Sequence, residues 1–391
     1  MSKRYSLGST SIGELEKKYV NEVLDENYVS PGPVVKHVEE ECARLHGMKH
    51  GLALNSGQAA IHVAIQAIVE TKLKSGKEKP LVAVPACTYI STLAAAVLAG
   101  CDLILVDVEE DTGNMCPNQL KETLERHKKQ GDPIDIVIPV HLYGRACNPR
   151  IFTICEEFGV WVVEDACEST FALGIGKGHI LTTSFFSNHL ISAGGGGVIM
   201  TNDSQLDEYC WKLINHGRSA RFGNNDIHQI ADKFCFDIFG HSMKWSDLPA
   251  ALAKAQIERK NELYGIRRRN AKELIAILED WKDYIILPLL DDHTFMMFMI
   301  TLQEPLDVNN VIRYLNDNSI EVRRAMPITN QKVVREYFGN NDLVKEFPVA
   351  DFLNRQSFYI GVHPELSLDD IQDMGSTVSE ALRGEINRVE A

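Results

Sequence analysis

Residues 160–169 read VWVVEDACES: four apolar side chains, then two carboxylates and, three residues later, a third. An apolar run of this length that ends in polar residues predicts a strand buried on both faces. Similar runs, in chain order, are GLALN (51–55), LVAVP (81–85), DLILVDV (102–108), DIVIPV (135–140), TTSFF (182–186) and GVIMT (197–201). Helix-like segments such as QAAIHVAIQAIVE (58–70) lie between them, so the pattern predicts a doubly wound α/β fold whose seven-stranded sheet is mostly parallel.

Helical patterns flank this alternating region on both sides. Before it, residues 13 to about 50 have apolar positions at helical spacing. After residue 204 the chain is helical again, and the stretches MMFMITL and VNNVIRYLNDN then predict a strand and a helix of a smaller unit. We therefore expect a large domain over residues 1–260, with an N-terminal helical arm, and a small C-terminal α+β domain over residues 261–391.

Composition narrows the classes of function. The 391 residues are 45% hydrophobic and 24% charged, as in ordinary soluble proteins. The net charge of −14 argues against a general nucleic-acid binder, because phosphate contacts need clustered Lys and Arg. A local basic site for a small anion stays open.

The nine cysteines and the chain's hydropathy suggest where the protein resides. None of the cysteines forms a C-x-x-C pair, which favours reduced thiols and gives no spacing for a zinc or iron–sulfur site, so no metal is expected. The N-terminus lacks an apolar signal segment, and no run of eighteen apolar residues occurs. We expect a cytoplasmic protein without a membrane segment.

Ligands of such sheets bind beyond the carboxyl ends of the strands, where two candidate sites lie. In NSGQAA, the amides of Gly57 and Gln58 begin a helix and could bind a phosphate, although an ordinary turn explains them too. Asp165 ends a very apolar strand, and a buried carboxylate there needs a partner such as a protonated heteroaromatic nitrogen of a cofactor. A helix N-cap is the alternative for Asp165.

The stretch SFFSNHLISAGGGG, residues 184–197, leaves two questions open. His189 follows an apolar strand and is either a base or an ordinary structural histidine. The four glycines suit a close backbone approach, but they match neither a dinucleotide fingerprint nor a P-loop.

Several other polar residues are weaker candidates. His141 lies at a predicted strand end, and His216 belongs to NHGRSAR. Arginines that could bind substrate phosphates, or equally belong to charged surface helices, are Arg218, Arg221, Arg323 and Arg324.

These motifs, taken in order, resemble the DegT/DnrJ/EryC1/StrS family of pyridoxal-phosphate (PLP) sugar aminotransferases. The resemblance spans nearly the whole chain and rests on NSGQAA, VPACTY, PVHLYG, VVEDACES, SFFSNH followed by GGGGVIMTND, NHGR, SDLPAAL and YIGVHPELS. It implies the aspartate-aminotransferase architecture (fold type I) and a homodimer whose active sites lie at the interface.

The resemblance also implies roles for individual residues. Gly57, Gln58 and Ser184 would bind the cofactor phosphate. Tyr89 would stack on the pyridine ring, and Asp165 would pair with the pyridinium nitrogen.

Glu168 matches the position near the ring hydroxyl, while three other positions depart from the family pattern. His189 replaces the lysine that normally holds the cofactor. The usual G-E-G-G is Gly194–Gly197, without the glutamate. Ser242 stands where the neighbouring subunit normally supplies a phosphate-binding asparagine.

Histidine in the lysine position resembles a branch of sugar 3-dehydratases within the family, such as GDP-4-keto-6-deoxymannose 3-dehydratase, which act in deoxysugar and lipopolysaccharide O-antigen synthesis. There pyridoxamine phosphate (PMP), renewed by glutamate, condenses with the C4 ketone of a nucleotide-linked sugar. The histidine removes a proton and the C3 hydroxyl leaves, so the products are a 3-deoxy-4-keto sugar and ammonia.

Two alternatives to this branch stay open. One is a sugar aminotransferase whose lysine has been replaced or is supplied from elsewhere, with Lys177 the nearest by sequence. The other is a non-catalytic protein that keeps the PLP fold.

Overall fold

The computed structural model describes residues 4–73, 79–219, 221, 234–340 and 342–391. These residues form two β-sheets and thirteen α-helices. The helices are α1 (Glu14–Asp25), α2 (Pro33–Leu45), α3 (Gly57–Thr71), α4 (Ile90–Leu98), α5 (Pro117–Lys129), α6 (Arg150–Phe158), α7 (Ser204–Ile214), α8 (Asp247–Glu258), α9 (Lys260–Leu278), α10 (Val308–Asp317), α11 (Lys332–Phe338), α12 (Pro348–Gln356) and α13 (Leu368–Glu390). The strands are β1 (His50–Leu54), β2 (Leu81–Pro85), β3 (Asp102–Val106), β4 (Ile136–Val137), β5 (Trp161–Asp165), β6 (Ile180–Ser184), β7 (Gly197–Thr201), β8 (Ile285–Ile286), β9 (Phe298–Leu302), β10 (Arg323–Arg324) and β11 (Ser357–Ile360).

The larger sheet has seven strands in the order β1-β7-β6-β5-β4-β2-β3. Strands β2 to β6 pair in parallel, whereas β7 is antiparallel to both of its neighbours. The prediction of a mostly parallel seven-stranded sheet is confirmed. Strand β6 begins two residues earlier than predicted, because Ile180 and Leu181 pair with Thr201 and Met200 of β7.

Apolar residues on both faces hold this sheet between helices. Every residue of β2, β6 and β7 is buried, as expected for strands covered on both sides. Helix α3 is buried over most of its length and contacts β1, β5, β6 and β7. This packing fixes the positions of the strands, and therefore the edge of the sheet at which their polar ends meet.

The smaller sheet is antiparallel, in the order β10-β11-β9-β8, and α9, α10 and α13 contribute to the same apolar core. The predicted strand and helix of this unit, here β9 and α10, are confirmed. The first described residues pack on it, since Tyr5 N donates to Ser319 O at 3.1 Å and Glu321 N donates to Tyr5 O at 2.8 Å. The predicted limit near residue 260 falls at the junction of α8 and α9 and stays a prediction.

The glycine run that the sequence left unexplained lies where β7 enters the sheet. A Cβ at Gly197 would lie 2.7 Å from both Ser56 O and Thr183 O. Gly196 has a φ of +122°, and a Cβ there would lie 2.5 Å from the Trp245 ring. Two of the four glycines are therefore required by close packing.

Gly195, at the position of the family's glutamate, is different. A Cβ at this position would meet only Asn55 O, at 3.7 Å. The backbone therefore leaves room for a side chain, and packing does not explain the missing glutamate.

Among the described residues, no helix is both long enough and apolar enough to cross a membrane. The cytoplasmic location stays a prediction.

We expect the Gly196→Ala substitution to lower the free energy of unfolding by about 2 kcal/mol or more, because it adds a clash to an unfavourable φ. Gly195→Ala is the matched control and should change it by less than about 0.5 kcal/mol. Urea denaturation of both variants measures the difference. Equal losses in the two variants would show that the close contact with Trp245 is unimportant.

Candidate active site

A cavity of about 390 Å³ opens at the carboxyl ends of the parallel strands. It brings together seven of the eight predicted site residues, which are Gly57, Gln58, Tyr89, Asp165, Glu168, Ser184 and His189. The eighth, Ser242, is exposed and pairs with Asn215 outside this cavity. The residues lie at or after the ends of four strands, β1, β2, β5 and β6, so the fold rather than local sequence assembles them.

The N-terminus of α3 and the end of β6 form one side of the cavity. Ser56 caps α3 by accepting a hydrogen bond from Ala59 N at 3.1 Å, and Gly57 and Gln58 begin the first turn. A Cβ at Gly57 would lie 2.6 Å from Ser184 Cβ and 2.7 Å from Cys167 Sγ. The Ser184 hydroxyl accepts from Phe186 N at 3.3 Å, which leaves its hydrogen for donation. This arrangement fits a phosphate group.

Asp165 lines the cavity and is 4% exposed. Its Oδ2 accepts a hydrogen bond from Thr92 Oγ1 at 2.8 Å, and its Oδ1 accepts one from Cys167 N at 3.1 Å. Both donors are neutral, so they orient the carboxylate without supplying a countercharge. A cationic ring nitrogen would supply that charge. The helix N-cap alternative is wrong, because turns follow Asp165 and the next element is β6.

Glu168 lies three residues after Asp165, and its carboxylate accepts a backbone hydrogen bond from a residue in the left-handed conformation. Tyr143, with a φ of +57°, donates its N–H to Glu168 Oε2 at 2.8 Å. Burial raises the pKa of Glu168 to about 7, and the charge of Asp165 acts in the same direction. Glu168 is therefore able to exchange a proton near neutral pH.

Tyr89 lies at the mouth of the cavity, in the turn before α4. Its side chain is 61% exposed, although it is large and aromatic. An aromatic face in this position is available for stacking on a planar ring.

His189 lies in the turn after β6, where its N–H donates to Phe186 O at 3.0 Å. The imidazole is half-buried and lines the cavity, and its Nδ1 has no hydrogen-bond partner among the described residues. Burial lowers the pKa of His189 to about 4, and the positive charge of Arg267 lowers it further, while contacts with the Ser184 and Cys167 backbones partly offset both effects. The side chain is therefore neutral at pH 7 and able to accept a proton.

Lysines do not contribute to this cavity in the part of the chain that the structure describes. Lys177, the alternative amine, lines a different cavity together with Arg145 and Asp291.

Of the arginine candidates, the structure places Arg323 in the cavity wall and the others elsewhere. Arg221 pairs with Asp207 at 2.6 Å, and Arg324 donates to Asn354 O at 2.8 Å. Arg218 stacks near exposed Phe234. The prediction of an anion cluster in residues 215–221 lies partly outside the described residues, because residue 220 is not described.

His141 is a structural residue rather than part of the cavity. It is fully buried, its Nε2 lies 2.8 Å from Glu164 Oε2, and its Nδ1 accepts from Cys147 N at 2.9 Å. These contacts fix the strand ends behind Asp165, because His141 N also donates to Asp165 O at 2.9 Å.

Several cavity residues were not predicted from the sequence. Thr92 lies in the first turn of the apolar helix α4, Tyr359 lies in β11 of the smaller sheet, and Glu321 lies two residues before β10. Leu7 comes from the N-terminal segment, and its N–H donates to Glu321 Oε2 at 3.2 Å. Nothing in the local sequence of these residues distinguishes them from surface or core positions.

The sequence profile of the DegT/DnrJ/EryC1/StrS aminotransferase family matches residues 10–379. The chain belongs to the DegT/DnrJ/EryC1/StrS aminotransferase family. It is 26% identical over 380 residues to the GDP-perosamine synthase of Escherichia coli O157:H7, which covers 93% of this chain and 95% of that protein. It is 24% identical over 380 residues to the GDP-4-keto-6-deoxy-D-mannose 3-dehydratase of Yersinia pseudotuberculosis, with 92% and 94% covered.

The fold of this family member agrees with a solved structure. The E. coli GDP-4-keto-6-deoxy-D-mannose-3-dehydratase with bound hydrated PLP superposes with a TM-score of 0.83 at 23% identity, over 97% of this chain and 100% of that chain. The predicted fold type I architecture is confirmed. Two of the relatives are a synthase and a dehydratase, which supports the prediction that this protein is an enzyme.

We expect Gly57→Ala to reduce cofactor affinity at least about tenfold, because its Cβ would push Ser184 away from the α3 N-terminus. Titration with PLP, followed by absorbance, measures the affinity. Gly265→Ala, in α9, where a Cβ would meet nothing within 4 Å, is the control and should leave affinity unchanged. Unaltered affinity in Gly57→Ala would contradict a phosphate site at this turn.

Proposed function

We propose that the enzyme removes the C3 hydroxyl of a nucleotide-linked 4-keto-6-deoxy sugar, with His189 as the base, PLP/PMP as the cofactor and glutamate as the amino donor. The observation that carries this proposal is His189 itself. It lines the cavity beside Asp165 and Ser184, while no lysine lines it among the described residues.

The residues of the cavity fit PLP or PMP. Gly57, Gln58 and Ser184 would hold its phosphate, and Asp165 would pair with its ring nitrogen. Glu168 would contact the ring hydroxyl, since its pKa near 7 allows it to donate or accept a proton. When bound, PMP supplies an amine for the C4 ketone and a ring that accepts electrons.

His189 would move the proton in this reaction. A neutral imidazole takes a proton without forming a covalent bond to the cofactor, whereas a lysine amine does both. Its half-buried position limits contact with water, and the low pKa keeps it unprotonated before the substrate reacts. The same ring nitrogen, once protonated, can deliver the proton to the leaving hydroxyl.

A second copy of the chain would complete the site. Ser242 lies outside the cavity of its own chain, and the segment before it exposes Phe239 completely. Tyr89 and Phe186 are exposed large aromatic side chains at the cavity mouth. We propose a homodimer in which the partner subunit's Ser242 approaches the phosphate, as the family pattern implies.

An aminotransferase is the second candidate, because a relative of similar coverage is the GDP-perosamine synthase of E. coli O157:H7. It requires an amine to hold and release the cofactor. The position of Lys177 in a different cavity weakens this candidate.

The dehydratase proposal predicts ammonia and a 3-deoxy sugar when the protein is given glutamate, PLP and a 4-keto-6-deoxy nucleotide sugar. His189→Asn should lower this rate by about 100-fold or more, since it removes a proton acceptor of similar shape. His189→Lys should instead bind PLP covalently. Mass spectrometry of products and of borohydride-treated protein measures both effects.

An aminated sugar as the sole product of the unaltered protein would contradict the dehydratase proposal. So would borohydride attachment of the cofactor to a lysine of the unaltered protein, because another amine would then occupy the site.

Arg323 is the cavity residue best placed to bind a substrate phosphate. It donates to Glu321 Oε1 at 3.0 Å, and its side chain is otherwise largely exposed. Arg323→Gln should raise KM for the nucleotide sugar by about tenfold, the loss of one charged contact.

Arg324→Gln is the matched control, because Arg324 is adjacent in β10 but bonds to Asn354 O away from the cavity. It should leave KM within about twofold of the unaltered value. Steady-state kinetics of both variants measures KM for the nucleotide sugar. Equal KM values for the two variants would exclude this role of Arg323.

A further inference from the structure

The turn that carries His189, residues 186–193, is bound to the N-terminal segment, residues 5–11. Thr10 Oγ1 donates a hydrogen bond to Ser187 O at 3.0 Å, across 177 residues of sequence. The Ser192 hydroxyl lies 2.8 Å from the same carbonyl oxygen and 3.1 Å from His189 O. Hydroxyl groups from inside and outside the turn therefore hold the backbone on which His189 lies.

A buried glutamine joins the same two segments a second time. Gln256, in α8, is 2% exposed. Its Oε1 accepts a hydrogen bond from Ser192 N at 2.6 Å, and its Nε2 donates one to Ser11 O at 3.2 Å. Its buried neighbours in α8 are Ala255 and Ile257. An amide among apolar side chains is unfavourable unless its hydrogen bonds are made, and here they are made to the turn and to the N-terminal segment.

The N-terminal segment is also fixed at its other end, on the smaller sheet. Leu7 lines the cavity, and its N–H donates to Glu321 Oε2. Ser6 Oγ lies 3.2 Å from His363 Nε2. Gly361 leaves no room for a Cβ, because Ser6 O and Leu7 O pack directly against it. The segment therefore connects the smaller sheet with the turn that carries His189.

The imidazole of His189 depends on this backbone for its direction. Its Nδ1 has no hydrogen-bond partner among the described residues. The Phe186 ring lies edge-on to it, with the centroids 6.0 Å apart, but that ring is itself exposed. A shift of the turn would therefore move the imidazole with it.

We propose that Thr10 and Gln256 are positioning residues for His189, which hold its turn against the N-terminal segment. The proposal rests on the proposed role of His189 as the base. Neither Thr10 nor Gln256 is among the residues that line the cavity, so both act through the turn. A base must lie within hydrogen-bond reach of the proton it takes, and a displacement of about 1 Å can lower a rate about 100-fold.

The test compares two Thr10 variants with a matched control. Thr10→Val removes the hydroxyl and keeps the shape, while Thr10→Ser keeps the hydroxyl. Thr10 is only half-buried, so both variants should fold. The control is Thr71→Val, which removes a similar bond at the end of α3, where Thr71 Oγ1 donates to Ala67 O at 2.7 Å. Gln256→Met, which removes both amide bonds, is a second test of the same turn.

Two properties of the full chain are measured. The first is hydrogen exchange of residues 186–193 without added cofactor, by mass spectrometry, which reports the opening of the turn. The second is the single-turnover rate of 3-deoxy sugar formation by the PMP-loaded protein, together with the sugar concentration that gives half of this rate.

We expect Thr10→Val to exchange about tenfold faster in this turn, because one of its anchoring bonds is gone. Its single-turnover rate should fall about tenfold, while PLP affinity and the half-saturating sugar concentration stay within about twofold. Thr10→Ser should restore both the exchange and the rate. Gln256→Met should show the same pattern as Thr10→Val, and Thr71→Val should change neither property.

An unchanged exchange or an unchanged rate in Thr10→Val would overturn the proposal. So would a loss that Thr10→Ser does not restore, or one that equally affects PLP affinity, since either would indicate a general structural disturbance. If Gln256→Met does not fold, the Thr10 variants decide. A normal rate in His189→Asn would instead refute His189 as the base, and the exchange data would still show whether Thr10 holds the turn, so the two proposals can fail separately.

Discussion

The buried carboxylate of Asp165 is the constraint around which the active site is built. It ends β5, whose last four residues are buried, and an uncompensated negative charge is unfavourable there. The fold accommodates it with two neutral donors, the Thr92 hydroxyl and Cys167 N, and holds its backbone against the segment after β4, where Asp165 N donates to Pro139 O and its carbonyl accepts from His141 N. These bonds orient the charge without cancelling it. The countercharge is left to a ligand, which is why the site suits a cofactor with a basic ring nitrogen.

The strands of the large sheet and the edge at which the site lies were predictable from the sequence. The apolar runs indicate the strands, and the carboxyl ends of parallel strands meet at one edge. The glycine run shows where such prediction stops. Its composition indicated a close approach, but only the pairing of β7 between β1 and β6 reveals that Ser56 and Thr183 surround Gly197 and that Trp245 lies against Gly196. The pairing register of strands that are distant in the sequence depends on the whole sheet, so it cannot be predicted from one segment.

The residues that prediction missed share a physical cause. In the sequence, Thr92 is one polar residue in an apolar helix. Its hydrogen bond to the carboxylate is apparent only when the location of Asp165, 73 residues later in the chain, is known. Tyr359 lies in β11 of the other sheet, and Glu321 lies two residues before β10. Local patterns report burial and turn chemistry, whereas these roles depend on which side chains meet across the fold.

Transamination and dehydration differ in their need for an amine at residue 189, where the family pattern has lysine and this chain has histidine. Under the proposed function, phosphate binding, ring stacking and pairing with the ring nitrogen would depend on Gly57, Ser184, Tyr89 and Asp165. None of these contacts requires an amine at residue 189. A lysine adds a covalent bond to the cofactor, a step that releases product by displacement. Under the proposed function, an imidazole would retain proton transfer and lose that step, so a bound sugar would have time to expel a leaving group before it is released. The same arrangement of cofactor-binding residues would then serve both transamination and dehydration, and the side chain at residue 189 would decide between them.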